Sequence, residues 1–303
     1  MNQGHFRSGM MGAGLVCTLI SVAGCGSTET FEGRALGGAI VVGSQDYYSN
    51  EILAETYAQA LEGSGYTVDR EFRIGQREVY MPEIASGAID VFPEYTGSLL
   101  QYLNPSATQT QADEVYHALS AAMPDGLSVT DQAEAADQDS YVVTQEMAER
   151  YGLTEIGDLA RLDSLVVGGN SELETRPYGP KGLKALYGVT AGFTPIEDSG
   201  GALTVKALEN NQVQLVDLYS SDPVLAEGKL KVLKDPKGLI LASRVVPVVS
   251  ERIDERARDV INRVSKELGP SDLVDMNRRS TVEQMSASTI ASQWLKSKGL
   301  PHR

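Results

Sequence analysis

Tyrosine is the side chain in this sequence best placed to do chemistry. There are 13 tyrosines against 5 phenylalanines, and only 3 histidines, His5, His117 and His302. Tyr95 follows the apolar run Ile89–Phe92 and Pro93-Glu94, Tyr141 follows Asp139-Ser140, and Tyr219 ends Val216-Asp217-Leu218. Three phenol rings leaving strand ends toward one cleft are suited to a cation that has no N–H to donate. Each ring face held over such a charge contributes about 0.5–2 kcal/mol. The competing reading of any single tyrosine is core or interface packing. Tyr47-Tyr48 reads as packing at a helix start in preference to lining a cleft mouth, Glu94 as a lobe or hinge hydrogen-bonding residue, Gly200-Gly201 as a turn in preference to an anion site, and Trp294 as core. A lone internal histidine cannot build a Ser-His-Asp or Cys-His set. No G-x-S-x-G, P-loop or strand-following G-x-G-x-x-G is present, and no His/Cys cluster suits a transition metal. No cofactor is implied.

The elements that carry these tyrosines alternate between strand and helix. Residues 39–42 form a short apolar run closed by Gly43, which is a buried strand. Ser49 is the expected N-cap of a helix whose apolar positions run from Ile52 to Leu61 and which Gly63 ends. Residues 67–74 read as a second strand, 82–86 as a short helix and 89–92 as a third strand. This order marks a parallel, doubly wound sheet. The pattern restarts with strands at 141–143, 165–167, 215–219 and 245–249, with helical stretches from Gln145, Ile156 and Leu203. Ile253 to Leu268 is an amphipathic helix. The fold class is therefore α/β, with two doubly wound lobes and a ligand cleft between the carboxyl ends of their strands. The acidic stretch 124–138 is the expected crossing between them.

The N-terminus assigns the compartment. His5 and Arg7 precede an apolar stretch, Met10 to Ala23, too short to span a bilayer but of secretory length. It ends in Val22-Ala23-Gly24-Cys25, similar to the lipobox of bacterial lipoproteins, so Cys25 is the expected site of lipid attachment. Residues 1–25 are then a signal peptide and 26–38 a Gly-, Ser- and Thr-rich tether. Lobe I is expected over 39–140 and 244–303, and lobe II over 141–243. Cys17 leaves with the signal, so the mature chain has no thiol pair. A net charge of −15 excludes nucleic acid, whose affinity depends on Lys and Arg neutralising phosphates.

Specific words then appear in order: residues 41–45 (VVGSQ), 50–55 (NEILAE), 77–82 (REVYMP), 86–97 (SGAIDVFPEYTG), Thr175-Arg176-Pro177, 181–184 (KGLK) and Tyr219-Ser220-Ser221-Asp222. From about Ala39 onward the chain resembles the glycine betaine/carnitine/choline-binding proteins of ABC importers. The resemblance implies a type II periplasmic-binding fold that closes on a quaternary ammonium in a tyrosine cage. It implies Tyr95, Tyr141 and Tyr219 as cage residues, with Asp139 beside the second of them. Ser98 stands for the hydroxyl residue three places after the first cage tyrosine, Gln45 for a polar contact to a ligand carboxylate, and Arg176 for that carboxylate's arginine. The implied partners are an ABC permease with its ATPase, and the membrane through the lipid on Cys25. A monomer is expected.

One position departs from the pattern. A fourth family tyrosine falls where this chain reads Leu241-Ala242-Ser243-Arg244. Arg244 is either a solvated loop residue or a cation pointing into the cleft, where it attracts a carboxylate and repels trimethylammonium. An amino-acid-like or anionic ligand clamped by Arg176 and Arg244 is the alternative expectation. A third, an exported enzyme on the same fold, has no nucleophile motif to support it.

Overall fold

The computed structural model describes residue 1 and residues 38–302. The expected signal segment, Cys25 and nearly all of the tether lie outside the described residues. The first half of the chain contributes β1 (Ile40–Gly43), α1 (Tyr48–Gly63), β2 (Val68–Glu71), α2 (Arg77–Ala85), β3 (Val91–Tyr95), α3 (Thr96–Leu103), α4 (Ala112–Ala122) and β4 (Leu127–Val129). The middle contributes β5 (Asp139–Thr144), α5 (Gln145–Tyr151), β6 (Val166–Gly169), α6 (Pro180–Gly182), β7 (Gly192–Pro195), α7 (Ala202–Glu209), β8 (Leu215–Tyr219) and β9 (Leu230–Val232). The chain then returns through β10 (Val245–Ser250) and closes with α8 (Glu255–Glu267), α9 (Pro270–Thr281) and α10 (Ala287–Ser297).

The strands form two five-stranded sheets, ordered β2-β1-β3-β10-β4 and β7-β6-β8-β5-β9. Each sheet has helices packed on both faces, so each carries two apolar clusters. β1 and β10 are nearly continuous apolar runs for that reason, with neither face in water, whereas the edge strands β2 and β7 leave most of their residues exposed. All five residues of β3 and all six of β10 are buried.

The sheets are mixed, which corrects the expectation of parallel ones. β1 runs parallel to β2 and β3, but β10 is antiparallel to β3 and β4. In the second sheet β5 is antiparallel to β8 and β9. β5 and β10 are the strands entered when the chain passes from one sheet to the other, and each enters from the cleft side. A strand entered there must run against neighbours that end there.

Two local expectations also shift. α1 begins at Tyr48 with Tyr47 as its N-cap residue and no side-chain cap, while the Ser49 hydroxyl donates to Asp137 Oδ2 at 3.2 Å. The second strand stops at Glu71, and Arg73 adopts φ 56°, a left-handed conformation that ends extended pairing.

Candidate functional site

The site is built first from the carboxyl end of β3. Glu94 is fully buried and accepts from Arg77 Nε at 2.7 Å and Nη2 at 2.8 Å, and also from the Tyr80 hydroxyl. Its Oε2 takes the Tyr95 backbone N–H at 2.9 Å as well. This fixes the backbone at the residue where β3 turns into α3, and so aims the Tyr95 ring. Asn50 of α1 donates to the Pro93 carbonyl at 2.9 Å and to the Tyr95 hydroxyl at 3.3 Å.

Tyr47, in the loop after β1, joins Tyr95 to the other sheet. Its hydroxyl donates to the Tyr95 hydroxyl, and the ring centroids are 6.5 Å apart. Its ring lies 5.1 Å from that of Tyr219, which ends β8 in the second sheet. Tyr48 stands edge-on to Tyr47 at 6.3 Å and donates to Asp222 Oδ2 at 3.2 Å. Tyr47, Tyr95 and Tyr219 therefore form one aromatic cluster drawn from both lobes.

Asp137 lies beneath the cluster and accepts from both sides of the cleft. Ser49 and Tyr47 donate to its Oδ2 at 3.2 and 3.4 Å, and the Ser221 hydroxyl and N–H to its Oδ1 at 2.6 and 3.2 Å. Burial pushes its pKa up to about 6, against the lowering effect of the Ser221 and Ser49 bonds, and the charge of Asp139 adds to the rise.

The second-lobe wall follows from strand register. Asp139 of β5 pairs directly with Tyr219 of β8, and Asp217 with Tyr141. Ser98 of α3 reaches across to donate to Asp139 Oδ2 at 2.9 Å. Burial, and then the neighbouring Asp139 carboxylate, hold the Asp217 pKa well above the usual carboxylate range. Arg176 completes the wall, with Nη1 donating to the Tyr178 hydroxyl at 2.9 Å. Its Nη2 is buried without a hydrogen bond and sits 3.6 Å from Glu78 and 3.8 Å from Glu172. Asp139, Asp217, Arg176 and Tyr219 enclose a cavity of about 10 Å³, space for no more than a single water.

The expected residues divide clearly. Tyr95, Ser98, Asp139, Arg176 and Tyr219 come together at the lobe boundary. Gln45 lies in the loop after β1, buried, with its Nε2 making no hydrogen bond. Tyr141 does not join them. It is 1% exposed in the core of the second lobe, and its hydroxyl donates to the Tyr178 carbonyl at 2.7 Å. It shares a strand face with Asp139 but sits two residues deeper, roughly 7 Å down the strand, so it supports the wall from behind. Arg244 is corrected too. Its Nη1 pairs with Asp113 of α4 at 3.3 Å, at the exposed surface, while the preceding Ser243 points inward and its Oγ accepts from the Ser98 N–H at 3.0 Å. Adjacent residues entering a strand face opposite ways, and here the serine has the inner side. The Gly200-Gly201 turn offers no open anion site, because Asp198 Oδ2 already accepts the Leu203 and Thr204 N–H groups of α7 at 2.6 and 3.2 Å.

Sequence reasoning favoured helix-start packing for Tyr47 over a place at the cleft mouth, and passed over Asp137 and Asp217. A signal for Tyr47 was present, since the first strand-to-helix loop is where open α/β sheets bind ligands. Asp137 gave no signal, because its side-chain partners come from two segments far from it in the chain, Tyr47 and Ser49 in one and Ser221 in the other.

Two α/β lobes with a polar, tyrosine-walled boundary define a protein of the type II periplasmic-binding class. The family described as the substrate binding domain of ABC-type glycine betaine transport systems matches residues 38–297, and the chain belongs to that family. It is 25% identical over 296 residues to the glycine-betaine-binding protein of Pseudomonas aeruginosa, covering 93% of this chain and 92% of that one. It is likewise 25% identical to the glycine betaine-binding protein YehZ of Escherichia coli, over 86% and 90% of the two chains. The fold matches a solved glycine betaine/carnitine/choline ABC transporter structure with a TM-score of 0.68 at 20% identity, covering 86% of this chain and 98% of that one. It also matches lactococcal OpuAC, solved closed on glycine betaine, with a TM-score of 0.62 at 14% identity, over 86% and 96%. The protein is thus the substrate-binding component of an ABC importer, a role carried out outside the cytoplasm.

Proposed function

We propose that the protein captures a quaternary-ammonium zwitterion of the glycine betaine, choline or carnitine type between its lobes and hands it to an ABC permease. The meeting of Tyr47, Tyr95 and Tyr219 across the lobe boundary carries this reading. A trimethylammonium group has no N–H and gains most from ring faces, each worth about 0.5–2 kcal/mol. Carboxylates at Asp137 and Asp139 add attraction for the same cation, and Arg176 Nη2, which makes no hydrogen bond, offers a donor for the ligand carboxylate. Gln45 Nε2 is a second such donor. Ser98 ties the closed lobes together through Asp139.

The competing reading, an anionic ligand clamped by two arginines, loses one of them to Asp113 and must bring its charge beside three aspartates. Capture and release without turnover is the whole of the proposed activity. The mature chain is held to the membrane by lipid on Cys25 and acts as a monomer. Isothermal titration of the purified protein against glycine betaine, choline, carnitine and proline betaine tests the ligand class. Saturable heat with at least one is expected, and heat with none refutes the reading. Radiolabelled palmitate incorporation that disappears in Cys25→Ala tests the anchor.

A further inference from the structure

Helix α9 packs on α1, and its Leu273 and Met276 join the apolar cluster of β1 and α1, so it belongs with the first sheet. Asn277 of that helix reaches the other lobe. It is fully buried, and its Nδ2 donates to the Ser221 hydroxyl at 2.6 Å and to the Ser221 carbonyl at 3.3 Å. Ser221 lies two residues past Tyr219, the last residue of β8, and is itself buried. Its N–H and hydroxyl both donate to Asp137 Oδ1, on one of the segments that cross between the sheets. Residues outside its own sheet thus engage every polar group of Ser221.

A hydroxyl has one proton, and here Asp137 takes it. Asn277 meets the oxygen as a donor, so the bonds run one way, from the Asn277 amide through the Ser221 hydroxyl to Asp137, each polarising the next. Asn277 Oδ1, by contrast, is buried with no hydrogen-bond partner. A buried carbonyl left unpaired is costly, and an apolar side chain at that position in α9 would carry no such cost. The amide is therefore kept for its two N–H groups. The chain of bonds lies beside the crossing segment about which the lobes turn. A bond beside a hinge fixes an angle, and a small change there becomes a large displacement farther out. Because Tyr219 is two residues from Ser221, that angle sets how closely its ring approaches Tyr47, 5.1 Å away in this structure.

We infer that Asn277 is a positioning residue for capture: through Ser221 it holds the lobes at the closed angle, without acting on the ligand itself. The inference rests on the capture reading above and is independent of which cation is captured. Spin labels at the exposed positions Glu114→Cys in α4 and Glu209→Cys in α7, with both native cysteines replaced by serine, report the lobe separation by double electron–electron resonance. Asn277→Ala is expected to move the ligand-free distribution toward longer distances. Asn277→Asp, equal in size but without the donor, should move it at least as far, which a packing role alone would not do. Ser221→Ala cuts the same chain of bonds from the other lobe and gives the same shift, and adding Asn277→Ala to it should shift the distances little further. Titration with glycine betaine, choline and carnitine should show about a fivefold loss in Asn277→Ala, the worth of one such bond. The loss should be equal for each ligand that binds and lie in faster release. A ligand-free distribution unchanged in all three variants overturns the inference, as does a loss confined to one ligand. If none of the three binds the parent, the betaine reading falls and the ligand-free distances alone decide the role of Asn277.

Discussion

Tyr219 and Asp137 take part in the site for opposite physical reasons. In the proposed capture of a quaternary ammonium, Tyr219 offers a ring face and its hydroxyl is incidental. Tyr219→Phe should therefore keep affinity for a quaternary ammonium within about threefold, whereas Tyr219→Ala should weaken it about tenfold or more. Titration calorimetry on the pair checks this, and an equal loss in both would assign the role to the hydroxyl. Asp137 has a pKa raised to about 6 by burial, against an ordinary value of 3.8. A raised carboxyl pKa favours the native state while the group is protonated, below about pH 4. That contribution, on the order of 3 kcal/mol, is lost as pH rises through 6. Asp137→Asn stays neutral throughout. The melting temperature of the variant minus that of the parent should rise from pH 4 to pH 7, as read by scanning fluorimetry, and a flat difference would place Asp137 in water. The same ionisation puts a negative charge beneath the tyrosines at neutral pH, so capture of a cation should strengthen over that interval.

At the scale of the element, the end of β3 is held by one buried ion pair. Arg77 and Glu94 are 3% and 0% exposed, and their two hydrogen bonds are the contacts that set where β3 gives way to α3. A buried pair adds little net stability over an apolar substitute, but removing one member leaves an uncompensated charge. Arg77→Ala should cost about 3–5 kcal/mol in urea unfolding, and Tyr95 should lose its aim along with it. A cost below about 1 kcal/mol would mean that water reaches Glu94. How much of this was legible varies by element. β8 reads from sequence with its observed bounds, because Leu215 to Tyr219 is a short apolar run with no competing period. α2 begins at Arg77, five residues before the helix expected there, because a buried charged residue carries no periodic signal. The direction of β5 and β10 was also illegible, since an apolar strand buried on both faces looks the same whichever way it runs.

Across the whole molecule, the small cavity requires the lobes to move. A space of about 10 Å³ does not admit a trimethylammonium group, so entry needs the lobes to part about the two segments that cross between the sheets. The contacts that then re-form include the Tyr47–Tyr219 ring pair, the Arg176–Glu78 ion pair, and the hydrogen bonds of Ser98 to Asp139, Tyr48 to Asp222 and Gln76 to Ser199 at 3.4 Å. Small-angle scattering should show a smaller radius of gyration with saturating betaine than without. Ser98→Ala should weaken binding about fivefold, the worth of one such bond, chiefly through faster release in stopped-flow experiments.

Composition, strand-and-helix order and local words were enough to read two α/β lobes and an extracytoplasmic capture protein, and to single out Tyr95, Tyr219 and Arg176, which the structure gathers at the lobe boundary, because each of those signals is carried by residues adjacent in the chain. The tertiary structure decided the rest. It brought Tyr47 into the aromatic cluster and sent Tyr141 into the core. It turned Arg244 out to Asp113 and gathered Ser49, Ser221 and Tyr47 around Asp137. Those outcomes depend on which side of a strand end faces the other lobe, and that is set by the packing of segments far apart in sequence.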